Sequence, residues 1–487
     1  MKLLWLDLNC SYAHASLALP AIHAQCCGEV DVSWEAVSAT ISTPLGTVVE
    51  QVVTHKPDIL AATAWLFTRE YLLHVVGRVK ALMPECTVVL GGPEFLGDNE
   101  DFLRCHPEID CVFRGEGETV FPRWLEVRND RERWAGLPGC CYLDVQGVYR
   151  DGGVARTEDF AALRPPETSP FFRWDKPFVQ LETALGCFNG CMFCVSGAEK
   201  PVRTVPLESV RERLGNIRAH GIREIRLLDR TFNGNPHRAA KLLELFASFP
   251  DMRFHLEIHP ALLTRKLREL LRKMPPGQLH LEAGIQSLRA PVLEACRREG
   301  GLEPSLEGVR FLCGLDNLAV HADLIAGLPH YALTDIYEDI RMLAFLGTAE
   351  IQLELLKVLP GTAMQREAAR LDIRYAPAPP YEVLRTDAMT VEDLQTARLL
   401  SRLLDMYYNA RAWQAVTRRL IRENASFLTE FLARLREGEY LDQPLSVEKR
   451  GLLLFAFCRE AFPAYVSALR DAWETAGLSL RKIDRLM

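Results

Sequence analysis

The sequence predicts an α/β protein with three parts in order: a doubly wound parallel sheet, a partial (β/α)6 barrel, and an all-helical C-terminal region. Three observations predict this. Over residues 1–130, short and almost wholly apolar runs alternate with stretches of helical periodicity, as expected of parallel strands buried on both faces. After a proline-rich break, six further strand–helix units follow in the same rhythm. Beyond APAPP at 376–380 the strand signal ends and helical patterning continues through 381–487.

The strands of the first domain are read at KLLWLDL (2–8), DVSWEAV (31–37), PDILAATAWLF (57–67), CTVVLGG (86–92) and IDCVFRG (109–115). Helical patterns lie between them at 14–27, 46–55, 69–83 and 117–128. Such alternation places helices on both sheet faces and directs ligands to the carboxyl ends of the strands. Residues 131–176 interrupt the rhythm. GCCYLDVQGVYRDGG (139–153) has the turn chemistry of a β-hairpin, and the prolines of 163–177 make an extended connection, so the domain boundary is placed here.

The second series, within 177–375, has strands at FVQLETA (178–184), EIRLLD (224–229), RFHLEI (253–258), LHLEAGI (279–285), LAVHADLIAGL (318–328) and IQLELLKVL (351–359). Helical patterns fall at 206–220, 236–247, 260–273, 289–313 and 334–347. Six units suit an open barrel better than a closed eight-fold one. The C-terminal aromatics Tyr407, Tyr408 and Trp413 read chiefly as helix-core packing.

Charge excludes some functions. A net charge of −7 with 25% charged residues gives no basic surface for nucleic acid, and no apolar run reaches the ~18–20 residues of a membrane span. The N-terminal run meets Asp7 at once and lacks a secretory cleavage pattern, so a cytoplasmic protein is expected. In a reducing compartment most of its 14 cysteines read as small buried hydrophobes.

Three cysteines need another account. Cys187, Cys191 and Cys194 lie in CFNGCMFC, just after the first strand of the second series. Chance places such a CxxxCxxC pattern in about one chain in a hundred of this composition. Three thiolates in a short glycine-containing loop can converge on one cluster, and a strand's carboxyl end is where such barrels carry their chemistry. A structural zinc site or a ferredoxin-type cluster wants a fourth ligand, and no other Cys or His occurs between 174 and 219. A cubane held by three thiolates keeps one iron open to a substrate.

The loop, with aromatic Phe193 before its last cysteine, resembles the signature of the radical S-adenosylmethionine superfamily. The resemblance implies a 4Fe–4S cluster on Cys187, Cys191 and Cys194. It further implies that the methionyl group of S-adenosylmethionine chelates the open iron, and that reduction yields a 5′-deoxyadenosyl radical. LLDRTFN (227–233) stands where the family contacts the methionyl amine, which makes Asp229 and Asn233 candidates. LEAGIQS (281–287) offers Glu282 and Gln286 for ribose and carboxylate, while Gly327 in DLIAGLP and Leu359 in VLPGT stand where adenine packs. An electron donor such as flavodoxin or ferredoxin is also implied.

The first domain lacks GxGxxG and GxxxxGK[ST], which argues against dinucleotide and P-loop readings. Its segments NCSYAHASLALP (9–20), TAWLFTRE (63–70), GGPEF (91–95) and FRGEGE (113–118) resemble the cobalamin-binding domain found in one branch of that superfamily. On that resemblance Ser11, Leu66, Phe67, Gly91, Gly92, Gly115 and Glu116 are corrin-site candidates. The DxHxxG loop that supplies a lower histidine to cobalt is absent, so cobalt without a histidine beneath it is expected. The implied activity is a cobalamin-dependent methyltransferase acting on an unactivated carbon. A cobalamin-dependent radical rearrangement or cyclisation, and a non-enzymatic cluster or corrin redox sensor, stay open at this point.

Overall fold

The structure is a computed structural model and describes residues 1–26 and 31–484. The chain divides into two compact units. The first comprises Met1–Arg230 with Val358–Glu367 and Ala376–Tyr381; the second comprises Thr231–Lys357, Ala368–Tyr375 and Glu382–Met487.

The first unit opens with β1 (Lys2–Asn9), β2 (Ser33–Thr40), β3 (Ile59–Thr63), β4 (Thr87–Gly91), β5 (Cys111–Phe113), β6 (Cys140–Leu143) and β7 (Tyr149–Asp151), in the sheet order β2-β1-β3-β4-β5-β6-β7. β1 to β5 pair in parallel; in register, Leu6 faces Val37 on one side and Ala62 on the other. β6 and β7 add antiparallel at the edge, so the expected hairpin extends this sheet.

Side-chain alternation explains why these strands read as unbroken apolar runs. Leu4, Leu6, Leu60, Val88 and Leu90 pack with Val48, Val52, Leu72 and Val76 of helices Leu45–His55 and Arg69–Leu82. Leu3, Trp5, Ile59, Ala61 and Val89 pack on the other face with Leu19, Phe121, Trp124 and Leu125 of helices Ala18–Cys26 and Val120–Val127. Each such large side chain contributes about 1.5–3 kcal/mol on burial. The pattern expected at 14–27 starts later, at Ala18, and its last residue lies outside the described residues. PDILAATAWLF is strand only to Thr63; Trp65–Thr68 then turn into the next helix, with Thr68 Oγ1 accepting from Trp65 N–H.

The same unit holds β8 (Val179–Leu181), β9 (Ala184–Leu185), β10 (Arg203–Thr204) and β11 (Glu224–Leu227). β8 pairs in parallel with β11, and β9 pairs antiparallel with β10.

The second unit contains β12 (Arg253–Ile258), β13 (Leu279–Gln286), β14 (Ala319–Ala326) and β15 (Glu350–Leu355), paired in parallel in that order. β13 and β14 alternate a partly exposed with a buried residue throughout, and β12 does so after exposed Arg253. The buried positions, such as Leu256 and Leu281, line one apolar layer with Leu243 and Leu267 of helices Pro236–Ala247 and Arg265–Lys273. The pattern expected at 289–313 is two helices, Ala290–Ala295 and Leu302–Cys313, separated at Gly300–Gly301.

The region beyond 380 is mainly helical, with one correction. β16 (Arg374–Tyr375) and β17 (Val383–Arg385) form a short antiparallel pair, the latter only three residues long and too brief to show a period. Helices Val391–Leu403, Gln414–Glu423, Phe427–Glu437, Val447–Ala461 and Val466–Thr475 follow. Tyr407, Tyr408 and Trp413 are at most 1% exposed, so the core-packing expectation holds for all three. Among the described residues no helix is long and apolar enough to cross a membrane.

Candidate functional site

The cysteine loop is built by the short hairpin beneath it. β9 and β10 close its two ends, Ala184 opposite Thr204 and Leu185 opposite Arg203. Cys187 N–H donates to the Glu199 carbonyl at 3.1 Å, Cys194 N–H to Cys191 at 3.2 Å, and Gly197 N–H to Cys194 at 3.1 Å. Gly186 has φ +96° and leaves no room for a side chain, since a Cβ would lie 2.3 Å from Glu199 O. Met364 N–H anchors the loop from outside through Met192 O, 2.8 Å away.

The three cysteines sit in this loop with Cys191 buried and the other two half-buried. Burial pushes the Cys194 thiol up to about 11, with further increments from Cys191 and Cys187, while the Ser196 N–H acts the other way. A buried thiol flanked by two further sulfurs belongs to a donor set that iron stabilises, because a coordinating thiol is deprotonated outright. Ser196 Oγ, wholly buried behind the loop, has no hydrogen-bond partner. The loop thus fits a cluster held by Cys187, Cys191 and Cys194. Phe193 is half-buried beside them.

Asp229, 3% exposed, braces the strand that enters the loop. Its Oδ1 accepts from Thr183 N–H at 2.7 Å and Ala184 N–H at 2.9 Å, and its Oδ2 from the Thr183 hydroxyl. Leu359, half-buried, accepts from Thr362 Oγ1 at its carbonyl.

At the carboxyl ends of the doubly wound strands lies a cleft of about 250 Å³. Gly91, Gly92, Gly115 and Glu116 all line it, together with Trp5, Trp65, Phe113 and Phe121. Gly92 (φ +110°) must be glycine, because a Cβ would stand 2.6 Å from Ala64 O. Gly91 has space instead: a Cβ there would meet only Phe113 Cβ at 3.8 Å, so its absence widens the cleft wall. Glu116 is engaged by Arg203 in a two-point pair, 2.7 Å on each oxygen, and accepts from Thr157 N–H at 2.6 Å. Burial opposes its charge, but these partners outweigh it and hold the carboxyl below its ordinary value. Apolar walls, glycine-thinned backbone and a position at strand carboxyl ends fit a flat macrocycle such as cobalamin. Among the described residues that line it there is no histidine.

Leu66 is half-buried and Phe67 is 57% exposed, in the turn after β3. Neither lines the cleft, whereas their neighbour Trp65, 41% exposed, does. Ser11 is also outside it; its hydroxyl is 2.8 Å from His14 Nδ1.

The sequence reading missed two carboxyls. Glu118 and Glu182 line this cleft and also a neighbouring cavity of about 400 Å³ beside Arg213 and Phe160. Burial, then Glu118, pushes Glu182 up to about 7, against the pull of Arg230 and Arg213. Glu118 is likewise raised by burial, with Glu116 adding to it. The available signal was the strand period: Glu182 in QLETALGC falls on the face opposite Leu181 and Thr183.

The remaining candidates belong to the second unit. Asn233 clamps backbone, its Nδ2 donating to His259 O and its Oδ1 accepting from His259 N–H, both at 2.8 Å. Glu282 Oε2 lies 2.9 Å from His255 Nε2. Gln286 sits at φ +71°, where the β13–β14 register shifts. Gly327 has φ +87° at the end of β14, with Leu394 and Val383 nearest.

Comparison with known proteins matches these parts. The profile "Radical SAM superfamily" fits residues 181–343, "B12 binding domain" fits 11–125, and "Protein of unknown function (DUF4080)" fits 369–470. An uncharacterized methyltransferase of Pyrococcus horikoshii is 26% identical over 321 residues, 63% of this chain and 68% of that protein. The 2-(S-pantetheinyl)-carbapenam-3-carboxylate methyltransferase of Streptantibioticus cattleyicolor is 27% identical over 303 residues, 56% of this chain. This chain spans only 43% of that enzyme's length. The structure of the cobalamin-dependent S-adenosylmethionine radical enzyme OxsB with aqua-cobalamin bound is alike in fold, with a TM-score of 0.68 at 12% identity over 100% of this chain and 81% of that one. A three-thiol loop inside the radical profile, preceded by a glycine-lined cleft inside the corrin profile, shows that this chain carries a radical S-adenosylmethionine domain and a B12-binding domain.

Proposed function

We propose that the chain is a cobalamin-dependent radical S-adenosylmethionine methyltransferase acting on an unactivated carbon. The observation that carries this reading is that one compact unit holds both the cysteine loop and the glycine-lined cleft at the carboxyl edge of the doubly wound sheet. The methyltransferases among its relatives support the reaction class.

The bound cofactors would supply reductive cleavage of S-adenosylmethionine and a transferable methyl group. The chain's own residues do the holding and positioning. Cys187, Cys191 and Cys194 would hold the cluster, a three-thiolate set that supplies no fourth protein ligand. Asp229 fixes Thr183 and Ala184, and so fixes where the loop leaves the strand. Trp5, Trp65, Phe113 and Phe121 give the cleft apolar walls that exclude water from a reactive centre. Glu182, raised to about 7, can hold or release a proton at a carboxyl oxygen near neutral pH. An electron donor of the flavodoxin or ferredoxin class is the partner this chemistry requires, and a cytoplasmic location suits an oxygen-sensitive cluster.

The test is anaerobic reconstitution with iron, sulfide and hydroxocobalamin, followed by metal analysis and incubation with S-adenosylmethionine under strong reductant. About four irons and one cobalt per chain are expected, with 5′-deoxyadenosine formed. Iron without cobalt refutes the methyltransferase reading; absence of 5′-deoxyadenosine refutes the radical one.

A further inference from the structure

The polar face of β12–β15 carries a second cluster of metal-ligating side chains that uses none of the cysteines. His280 on β13, His321 on β14 and Glu350 on β15 come from three adjacent strands, and one donor atom from each lies within 4.8 Å of the other two. His321 stands opposite Glu350 in register, and His280 lies two residue pairs from the Glu282–His321 row, on the same face of its strand. The reverse face of the same strands is apolar, with Leu281, Val320 and Ile351 at most 3% exposed, so polar groups collect on one side only.

The hydrogen bonding around His280 fixes which atom it presents. His255 Nε2 lies 2.9 Å from Glu282 Oε2, and His255 Nδ1 lies 3.1 Å from His280 Nδ1. In a neutral His255 ring the Nε2–H donates to Glu282 and the Nδ1 lone pair accepts from His280 Nδ1–H. That chain leaves the one available lone pair of His280 on Nε2, a buried atom with no hydrogen-bond partner. Ligating histidines are oriented in this way, one ring nitrogen to the metal and the other donating to a neighbouring acceptor.

Two further buried atoms beside it lack hydrogen bonds, His321 Nε2 and Asp323 Oδ1. They approach each other to 3.0 Å, yet the angles do not make a hydrogen bond. His321 is 11% exposed and Asp323 16%. His280 Nε2 thus has no partner and His321 Nε2 faces only the Asp323 carboxylate, a buried arrangement that a cation accepting the imidazole lone pairs would relieve.

We propose that His280, His321 and Glu350 hold one divalent ion of the zinc class, with Asp323 or a water in the fourth position. Two imidazoles and a carboxylate suit zinc, whereas magnesium and calcium prefer all-oxygen shells. Tetrahedral bonds of about 2.0–2.1 Å place ligand atoms ~3.3 Å apart, so small side-chain rotations close the observed spacing. The ion neutralises carboxylates crowded on this face and ties β13, β14 and β15 together.

The experiment uses the full-length chain with Cys187, Cys191 and Cys194 all changed to alanine, so that thiolates do not compete. The protein is stripped with chelator, given a slight excess of zinc sulfate, desalted and assayed by mass spectrometry for metal. One zinc per chain is expected, with an X-ray absorption shell of nitrogen and oxygen only, at about 2.0–2.1 Å, and imidazole outer scattering. His280→Gln with His321→Gln lowers bound zinc about tenfold or more, while circular dichroism of the chelator-treated protein stays that of the parent. His280→Cys in the same background adds one sulfur to the shell at about 2.3 Å, a gained signal that does not depend on the double variant folding. Failure of the stripped chain to take up zinc, zinc retained undiminished by a folded double variant, or no sulfur in the shell of zinc-loaded His280→Cys overturns the assignment.

Discussion

Glu182 lies on the strand that enters the cysteine loop, and its carboxyl is raised from 4.5 to about 7 by burial and by Glu118. Glu182→Gln keeps the shape and imitates the protonated form, so it isolates the cost of the charge. Below pH 4.5 the carboxyl is protonated in both folded and unfolded chains and costs nothing. Between 4.5 and about 7 the unfolded chain releases its proton while the folded one keeps it, so folding is penalised as pH rises, fully so above 7. At 1.36 kcal/mol per pH unit the full interval is worth about 3 kcal/mol. Glu182 keeps some contact with solvent, and screening reduces the expected effect to about 1–2 kcal/mol. The assay is anaerobic urea unfolding of the full chain, followed by tryptophan fluorescence at pH 5 and pH 8.5. The variant should gain over the wild type by that amount between the two values. A gain independent of pH, or a loss that grows with pH, would refute the reasoning.

Cys191→Ala should remove iron almost entirely on reconstitution and abolish 5′-deoxyadenosine, measured by chromatography of the reaction mixture. Asp229→Ala leaves the Thr183 and Ala184 N–H groups without their acceptor, at about 1–3 kcal/mol for each unmet group, and should lower both melting temperature and iron content. Asp229→Asn, whose carbonyl still accepts and whose amide can donate to the Thr183 hydroxyl, should restore both; loss of iron in that variant as well would argue against a bracing role. Gly92→Ala drives a Cβ to 2.6 Å from Ala64 O at φ +110°, so calorimetry should show at least ~2 kcal/mol of destabilisation, with cobalt content falling after reconstitution with hydroxocobalamin.

The parallel α/β order was legible because strands buried on both faces cannot hide their composition. KLLWLDL is apolar on alternate residues toward each of two helix layers, and Leu4 and Trp5 serve different cores. The cysteine loop was legible for a different reason: a metal cluster constrains spacing along the chain, and CFNGCMFC satisfies it within eight residues. Boundaries were less so. The strand pattern of PDILAATAWLF overran by four residues, because an apolar turn after β3 carries no local mark of ending.

Composition, periodicity and motif spacing by themselves determined the fold class and the three-cysteine loop, and resemblance to a cobalamin-binding domain pointed to the glycine segments of the cleft. Each of those is a local property of the chain: a period of two or 3.6, a loop length, or a short run of residues. Only the tertiary structure decided that Glu118 and Glu182 share a wall of the cleft. It likewise decided that Asp229 braces backbone, and that His280, His321 and Glu350 meet from three strands up to 70 residues apart. Pairing of that kind depends on which strands lie side by side and in what register, and the sequence writes neither at any single position.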